Sequence, residues 1–497
     1  MANSKVISMH VPDIQVILHK TIIRTPNAVA AASSATLFGP VAGSTVAGQV
    51  SNATTDVLMG QPAIASPRMF QQNEAIDLTP YLGEGGGVRV SKSIRDGAGG
   101  CTLTFADKPY TNQNGTSSLY YLFEPQDMLE IRFRHNNPRA QTHQTDAQTI
   151  SPGAPPPILM RGFVSTVRRT QVMGQDGRPQ RQVVVTGLDY GKLWSIIQLL
   201  YAPNYTPGAN ILSSFKLFDR FGVGYSTVMK VSDFLSQMVT QVINPFLANM
   251  VPNTSIMPKA LGVDATVKNG LIDLGGSQNS EGTVYSLLTS YLDTPIWNEL
   301  YIEDREDAPY VVYRPNPTKD LLGKPIQSDA ANLVPVQISS KDVISIDVER
   351  SDAGVGNFFW TRMQKFELVS DIYRQMWGQA AGSDGQALSI DLSQYPNSAS
   401  QFYGVRIVKN ETMLGPNDIT SMASGKGAAE QAARDLSMIG WITDRRELCA
   451  AQNRDNVLYE SGTARIRANE LVKPGCYVEI WQGSISTVFY CPKVDFD

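Results

Sequence analysis

The feature that most narrows what this chain can become is a series of short alternating apolar segments between Val88 and Tyr190, each closed off by turn residues. Val88 to Ile94, Thr102 to Phe105, Met128 to Phe133, Leu159 to Arg168 and Gln182 to Leu188 all show the two-residue period of half-buried strands. Strands this short cannot bury enough surface singly, so the spacing predicts a small barrel or sandwich. Asp96-Gly97, Asn114-Gly115 and Asp176-Gly177 each put glycine where a turn needs positive φ, and Asp176-Gly177 is the best hairpin candidate. Val6 to Leu18 is a further strand candidate ahead of the series.

Two stretches break the pattern. Residues 26 to 70 are rich in Ala, Ser, Thr, Gly and Pro and read as an extended arm or long insertion. Residues 136 to 157, with prolines at 138, 152, 155, 156 and 157, read as a polar surface loop suited to decoration or partner binding.

After Asp189 the apolar period lengthens to that of a helix. Leu193, Ile196, Ile197 and Leu200 share one face, and a second helix from Val228 to Val242 is expected to end at Pro245. Val284, Leu287, Leu288, Tyr291 and Leu292 mark a third, with Ser280 as candidate cap. Asn298 to Ile302 and Pro309 to Tyr313 form a hairpin pattern around the acidic run Glu303-Asp304-Arg305-Glu306-Asp307, which reads as a solvated turn. Strand patterns return at Val343 to Val348, Phe358 to Trp360 and Gly404 to Val408. A helical stretch from Gly427 to about Leu448 follows, then strands at Gly462 to Ala468, Tyr477 to Trp481 and Thr487 to Tyr490. The expected fold class is α+β and β-rich, with two β domains around a helix-containing centre.

Composition excludes several roles. The 497 residues allow about three domains, and a net charge of -4 gives no overall pull toward nucleic acid or an anionic membrane. Charged residues make up only 18% of the chain, which suits extensive subunit contact. The opening residues lack the apolar core of a signal peptide, so a cytoplasmic site of synthesis is expected, and no window supplies the ~18 apolar residues of a membrane helix.

Cys101, Cys449, Cys476 and Cys491 have no C-x-x-C spacing, so free thiols are expected, with a Cys476 to Cys491 bridge as the other reading. His10, His19, His135 and His143 form no metal motif, and neither a metal nor a cofactor is expected. Gly425-Lys426-Gly427 lacks phosphate-loop spacing, the glycines at 83 to 87 precede a strand instead of following one, and no G-x-S-x-G is present. No catalytic residue is therefore assigned. The alternative enzyme is a peptidoglycan-cleaving hydrolase drawing its acids from Glu303, Asp304, Glu306 and Asp307. Arg161, Arg168, Arg169, Arg178 and Arg181 fall on neighbouring predicted strands and form the candidate subunit or partner interface, since arginine forks suit carboxylates. Phosphate binding is the alternative for them, although no aromatics are interleaved to stack bases.

The runs Val90-Ser91-Lys92-Ser93-Ile94-Arg95-Asp96 and Thr102-Leu103-Thr104-Phe105-Ala106-Asp107-Lys108-Pro109 resemble the first barrel of baseplate hub proteins from contractile-tailed bacteriophages. Asp127-Met128-Leu129-Glu130-Ile131-Arg132, Met160-Arg161-Gly162-Phe163-Val164 and the stretch from Gly177-Arg178-Pro179 to Asp189-Tyr190-Gly191-Lys192 extend the resemblance over about a hundred residues. Ser351-Asp352, Gly356-Asn357-Phe358 and Gly462 to Val494 are similar in pattern to the second barrel. The resemblance implies tube-like β-barrel domains at 1–190 and 343–497 flanking an α+β domain at 191–342, with a helical insertion around 411–455 in the second barrel. It further implies a homotrimer whose six barrels continue a sixfold tail tube. The implied partners are the tube or tube-initiator protein, a separate central spike, baseplate wedge proteins and a tape-measure protein. DNA would be present only in transit, through a lumen without a dense basic lining.

Overall fold

The computed structural model describes residues 12–20, 75–82, 87–112, 115–135, 155–173, 179–199, 228–251, 257–268, 270–273, 282–363, 400–417, 428–482 and 484–497. The 26–70 arm, most of the 136–157 loop, the Asp176-Gly177 turn, Arg178, His10, His143 and Gly425-Lys426-Gly427 lie outside the described residues.

The first module contains β1 (Asp13–His19), β2 (Ala75–Asp77), β3 (Gly87–Ser93), β4 (Gly100–Ala106), β5 (Met128–Arg134), β6 (Ile158–Met173) and β7 (Pro179–Asp189). All five strands expected between Val88 and Tyr190 are present, most of them longer than their apolar pattern alone suggests. They join in the order β2-β1-β5-β6-β7-β4-β3, each pair antiparallel. Alternate residues point to one core built from Val16, Leu103, Phe105, Ile131, Val183 and Val185, as the two-residue period requires. An irregularity in the β6–β7 register between Val164 and Thr166 bends the long hairpin.

In the middle region α1 (Gly191–Ile196) is shorter than expected. Ile197 turns extended, and Gln198–Leu199 pairs with Gly282–Thr283 in place of a further helical turn. The second predicted helix starts later and runs on past Pro245. α2 (Val231–Met238) passes through a π turn at Val239–Ile243 into α3 (Asn244–Met250). Proline at the start of α3 needs no donor, because its amide would have been one of the unsatisfied first-turn groups. Then come β8 (Gly262–Ala265) and α4 (Val284–Tyr291). Thr283 caps α4, its Oγ1 accepting from the Ser286 amide at 3.1 Å, and Ser280 lies outside the described residues. β9 (Asn298–Asp304) and β10 (Pro309–Pro315) form the expected hairpin, and β8 lies parallel to β10. One core unites α1 to α4 with Leu300, Val311 and Tyr313, and also takes in Met128 and Phe163 from the first sheet.

The last part holds β11 (Val336–Ile338), β12 (Val343–Glu349), β13 (Phe358–Met363), β14 (Ile407–Thr412), α5 (Ala428–Asn453), β15 (Ser461–Ile466), β16 (Cys476–Gln482), β17 (Ile485–Cys491) and β18 (Lys493–Phe496). The inserted helix and most predicted strands are there, with the strand expected at Gly404 to Val408 displaced to Ile407–Thr412, but among the described residues they form no single closed barrel. They divide into the sheet β11-β16-β17 and the pairs β12–β15 and β13–β14. β18 leaves this region altogether and pairs with β3, becoming the eighth strand of the first sheet. That sheet rolls far enough to bring Phe496 of β18 within 6.4 Å of Phe133 on β5, yet its edge strands β2 and β18 do not pair.

Candidate functional site

The arginine group divides between two places. Arg161 is buried, and eight residues of extended strand, about 26 Å, separate it from Arg169. Arg168, Arg169 and Arg181 are exposed on the distal part of the β6–β7 hairpin. Arg169 pairs with Asp107 at 3.0 Å, and Arg181 Nε donates to Gln171 Oε1 at 3.2 Å. Only this distal group is accessible as an interface.

Arg161 instead holds the backbone of the acidic hairpin turn, in which Asp304 is buried while Glu306 and Asp307 stay exposed as a solvated turn requires. Its guanidinium donates to the backbone carbonyls of Arg305 (2.7 Å) and Glu306 (2.8 Å), and its Nε faces Glu130 at 3.5 Å. Glu306 accepts from the Ile158 amide at 2.9 Å and from Arg132 at 3.3 Å. Arg132 also pairs with Glu130. Asp304 is buried, bonded to Lys92 Nζ and to the Arg161 amide. Glu303 meets Arg305 and Lys473, and Asp307 accepts from the Tyr310 hydroxyl. Every carboxylate of the run is thus tied to a donor, and the turn plugs the β9–β10 hairpin onto β5 and β6.

The arrangement follows from strand alternation. Glu130 on β5 stands opposite Arg161 on β6, so both side chains leave the face opposite Ile131 and Met160. That face also carries Met128 and Phe163, which enter the middle core. Within the sheet itself β6 and β7 approach closely: a Cβ at Gly162 would lie 2.3 Å from the Leu188 carbonyl oxygen.

Beside this seam a cavity of about 40 Å³ is walled by Lys92, Asp189, Glu303, Asp304 and Lys473 among others. Asp304 Oδ1 at its wall has no protein donor. Burial, with the Asp304 charge adding to it, lifts the Asp189 carboxyl to about 7 against the pull of Lys92. Burial works to lower Lys92, but Asp304 and Asp189 beside it outweigh that and the net direction is up. Among the described residues no group of three or more His, Cys, Asp or Glu is placed to hold a metal ion. His135 Nδ1 is engaged with Glu470 at 2.7 Å, and burial lowers the His19 imidazole.

A second feature is apolar and exposed. One face of β13–β14 is buried on α5 through Phe359 and Cys449. The opposite face shows Trp360 (45% exposed) and Ile407 (55%), and just ahead of β14 in the chain Phe402 (79%) and Val405 (68%) are exposed too. Among the described residues β12 and β15 pair only with each other, and most of their residues are exposed, Ile344 included. Periodicity could not reveal this flank, because Phe358 to Trp360 reads the same whether one face or both are covered. No described helix is long and apolar enough to cross a membrane.

No protein-family model matches the chain, and neither does any curated protein. Solved structures similar to it at low level include two tail proteins. One is a tail protein from Neisseria meningitidis MC58, with 11% identity and a TM-score of 0.37, covering 82% of this chain and 86% of the other. The second is a 43 kDa tail protein of prophage MuSo2 from Shewanella oneidensis, with 11% identity and a TM-score of 0.37, covering 82% of this chain and 88% of the other.

Proposed function

We propose that this chain is the baseplate hub of a contractile phage tail, a structural protein of the virion. Three copies close into a ring of six β sectors that joins the hexameric tail tube to a separate central spike and surrounds the channel for genome passage. The observation that carries the reading is the exposed flank of the C-terminal part. Two-stranded sheets are marginal alone, and Trp360 and Ile407 on one face of β13–β14, with Phe402 and Val405 also exposed just ahead of β14, favour a neighbour that covers this flank. A ring supplies that neighbour to every copy. The sequence runs from Val90 to Lys192, which resemble the first barrel of such hubs, support a hub ring over other rings.

One further feature suits passage of DNA. Thr102, Thr104, Thr166, Thr170 and Thr186 share a face of the first sheet with Arg89 and Arg168. Arg89 is paired with Asp497 at 3.2 Å. A wall of hydroxyls with few free cations would not retain phosphate.

Light scattering of the purified chain across a concentration series tests the proposal. The expected mass is about 163 kDa, three times the 54.3 kDa protomer. A persistent 54.3 kDa monomer that clears a peptidoglycan suspension would overturn it in favour of a tail-associated hydrolase.

A further inference from the structure

The hairpin β16–β17 places Cys476 directly opposite Cys491 in antiparallel register. Opposed residues project to the same side of a sheet, and both cysteines pack against one small core that contains Val478, Ile480 and Val472. The adjoining pair confirms the shared side, since the Tyr477 and Tyr490 rings lie 5.1 Å apart. Both thiols are half-buried, so small reagents can reach them, whereas Cys101 and Cys449 are buried. Opposed antiparallel residues hold their Cα atoms about 4.5–5.5 Å apart, inside the roughly 4.4–6.8 Å window of disulfides. Their Cβ atoms stand about 4.5–5.5 Å apart, slightly more than the ~3.8 Å a bridge prefers, so closure needs only a small inward shift of two strands.

We propose that Cys476 and Cys491 are a paired redox site that closes to a reversible cross-strand disulfide when the chain meets a small-molecule disulfide oxidant. One cysteine, as thiolate, attacks the oxidant; a protein mixed disulfide forms and one small thiol leaves. The second cysteine then attacks the protein sulfur of that mixed bond, the Cys476–Cys491 bond forms, and the second small thiol leaves. Two protein thiols are oxidised, one small disulfide is reduced to two thiols, and the two cysteine protons pass to the departing thiolates.

The bond would sit where this hairpin hands the chain to the first sheet. Cys491 O accepts from the Gly475 amide at 2.7 Å, Pro492 O accepts from the Ile94 amide at 3.0 Å, and β18 begins at Lys493. A bridge there ties the ends of the hairpin at the point where β18 departs for β3. Burial lifts the Cys491 thiol to about 11 and raises Cys476 as well. The thiolate is scarce at neutral pH, so closure is slow there and speeds up about tenfold per pH unit through the mildly alkaline range.

The test uses the full chain, purified reduced and then incubated with oxidised glutathione at pH 8. Thiol titration after denaturation should fall from four cysteines to two, and peptide mass spectrometry should find one linked pair, Cys476 with Cys491. Dithiothreitol should restore all four. Cys491→Ser should abolish the linked peptide, while Cys101→Ser keeps it. Four free thiols after prolonged oxidation would overturn the proposal, as would glutathione adducts that never resolve or links only between chains. The wild-type peptide map decides the matter even if the serine variant fails to fold.

Discussion

Replacing Arg161 with alanine tests the seam most directly. The change strips two carbonyls, those of Arg305 and Glu306, of donors at 2.7 and 2.8 Å, and it removes one of the two arginines beside the buried Glu130. A charge-assisted hydrogen bond contributes about 1.5–3 kcal/mol, and breaking a buried pair costs about 3–5 kcal/mol. Arg132 still serves Glu130, so the lower half of that range, about 3–4 kcal/mol, is the expected loss. A chain of several modules is not expected to unfold in one step, so the loss is best read locally, by amide hydrogen exchange. Protection at β6 near Arg161 and in the β9–β10 hairpin should drop by about two to three orders of magnitude. Arg168→Ala, on the exposed distal hairpin, should leave the same amides within a few-fold of wild type. Unchanged exchange in Arg161→Ala, or an equal drop in both variants, would refute the idea that the acidic turn is anchored by this side chain.

The remaining expectations concern the sheet, its pH response and assembly. Gly162→Ala should lose about 1–3 kcal/mol or more through its 2.3 Å clash with the Leu188 carbonyl, seen as faster proteolysis of the β6–β7 hairpin. Asp189, lifted to about 7, keeps a proton in the folded chain that an unfolded carboxyl releases near pH 4. Its contribution therefore favours folding below about pH 4 and is lost as pH rises to about 7, at up to ~1.4 kcal/mol per pH unit. Denaturation at steps across that window should show the decline in wild type and a shallower one in Asp189→Asn, whatever the substitution does to absolute stability. Trp360→Asp combined with Ile407→Lys should lower the light-scattering mass toward 54.3 kDa while leaving circular dichroism unchanged.

The strands were legible because their signal is local. The two-residue period at Val88 to Ile94 or Gln182 to Leu188 arises from which side of a single strand meets the core, and neighbours in sequence report it. Much of the helical centre was legible for the same reason, through the spacing of Val284, Leu287, Leu288 and Tyr291. Pro245 misled, since a proline that stops a regular helix can equally begin a new segment after a π turn.

Which strands share a sheet is a different kind of fact. β18 is four residues long and pairs with β3, some four hundred positions earlier in the chain, and nothing in Lys493 to Phe496 names that partner. The fate of the arginines was equally nonlocal. Arg161 and Arg169 look alike along the sequence, yet one is buried under Glu306 and the other reaches toward solvent beside Asp107. A charged side chain is sorted by whether a donor-hungry backbone closes over it, and that depends on the β9–β10 hairpin docking from far along the chain. Periodicity specifies a residue's side of its own strand; only packing specifies what stands across from it.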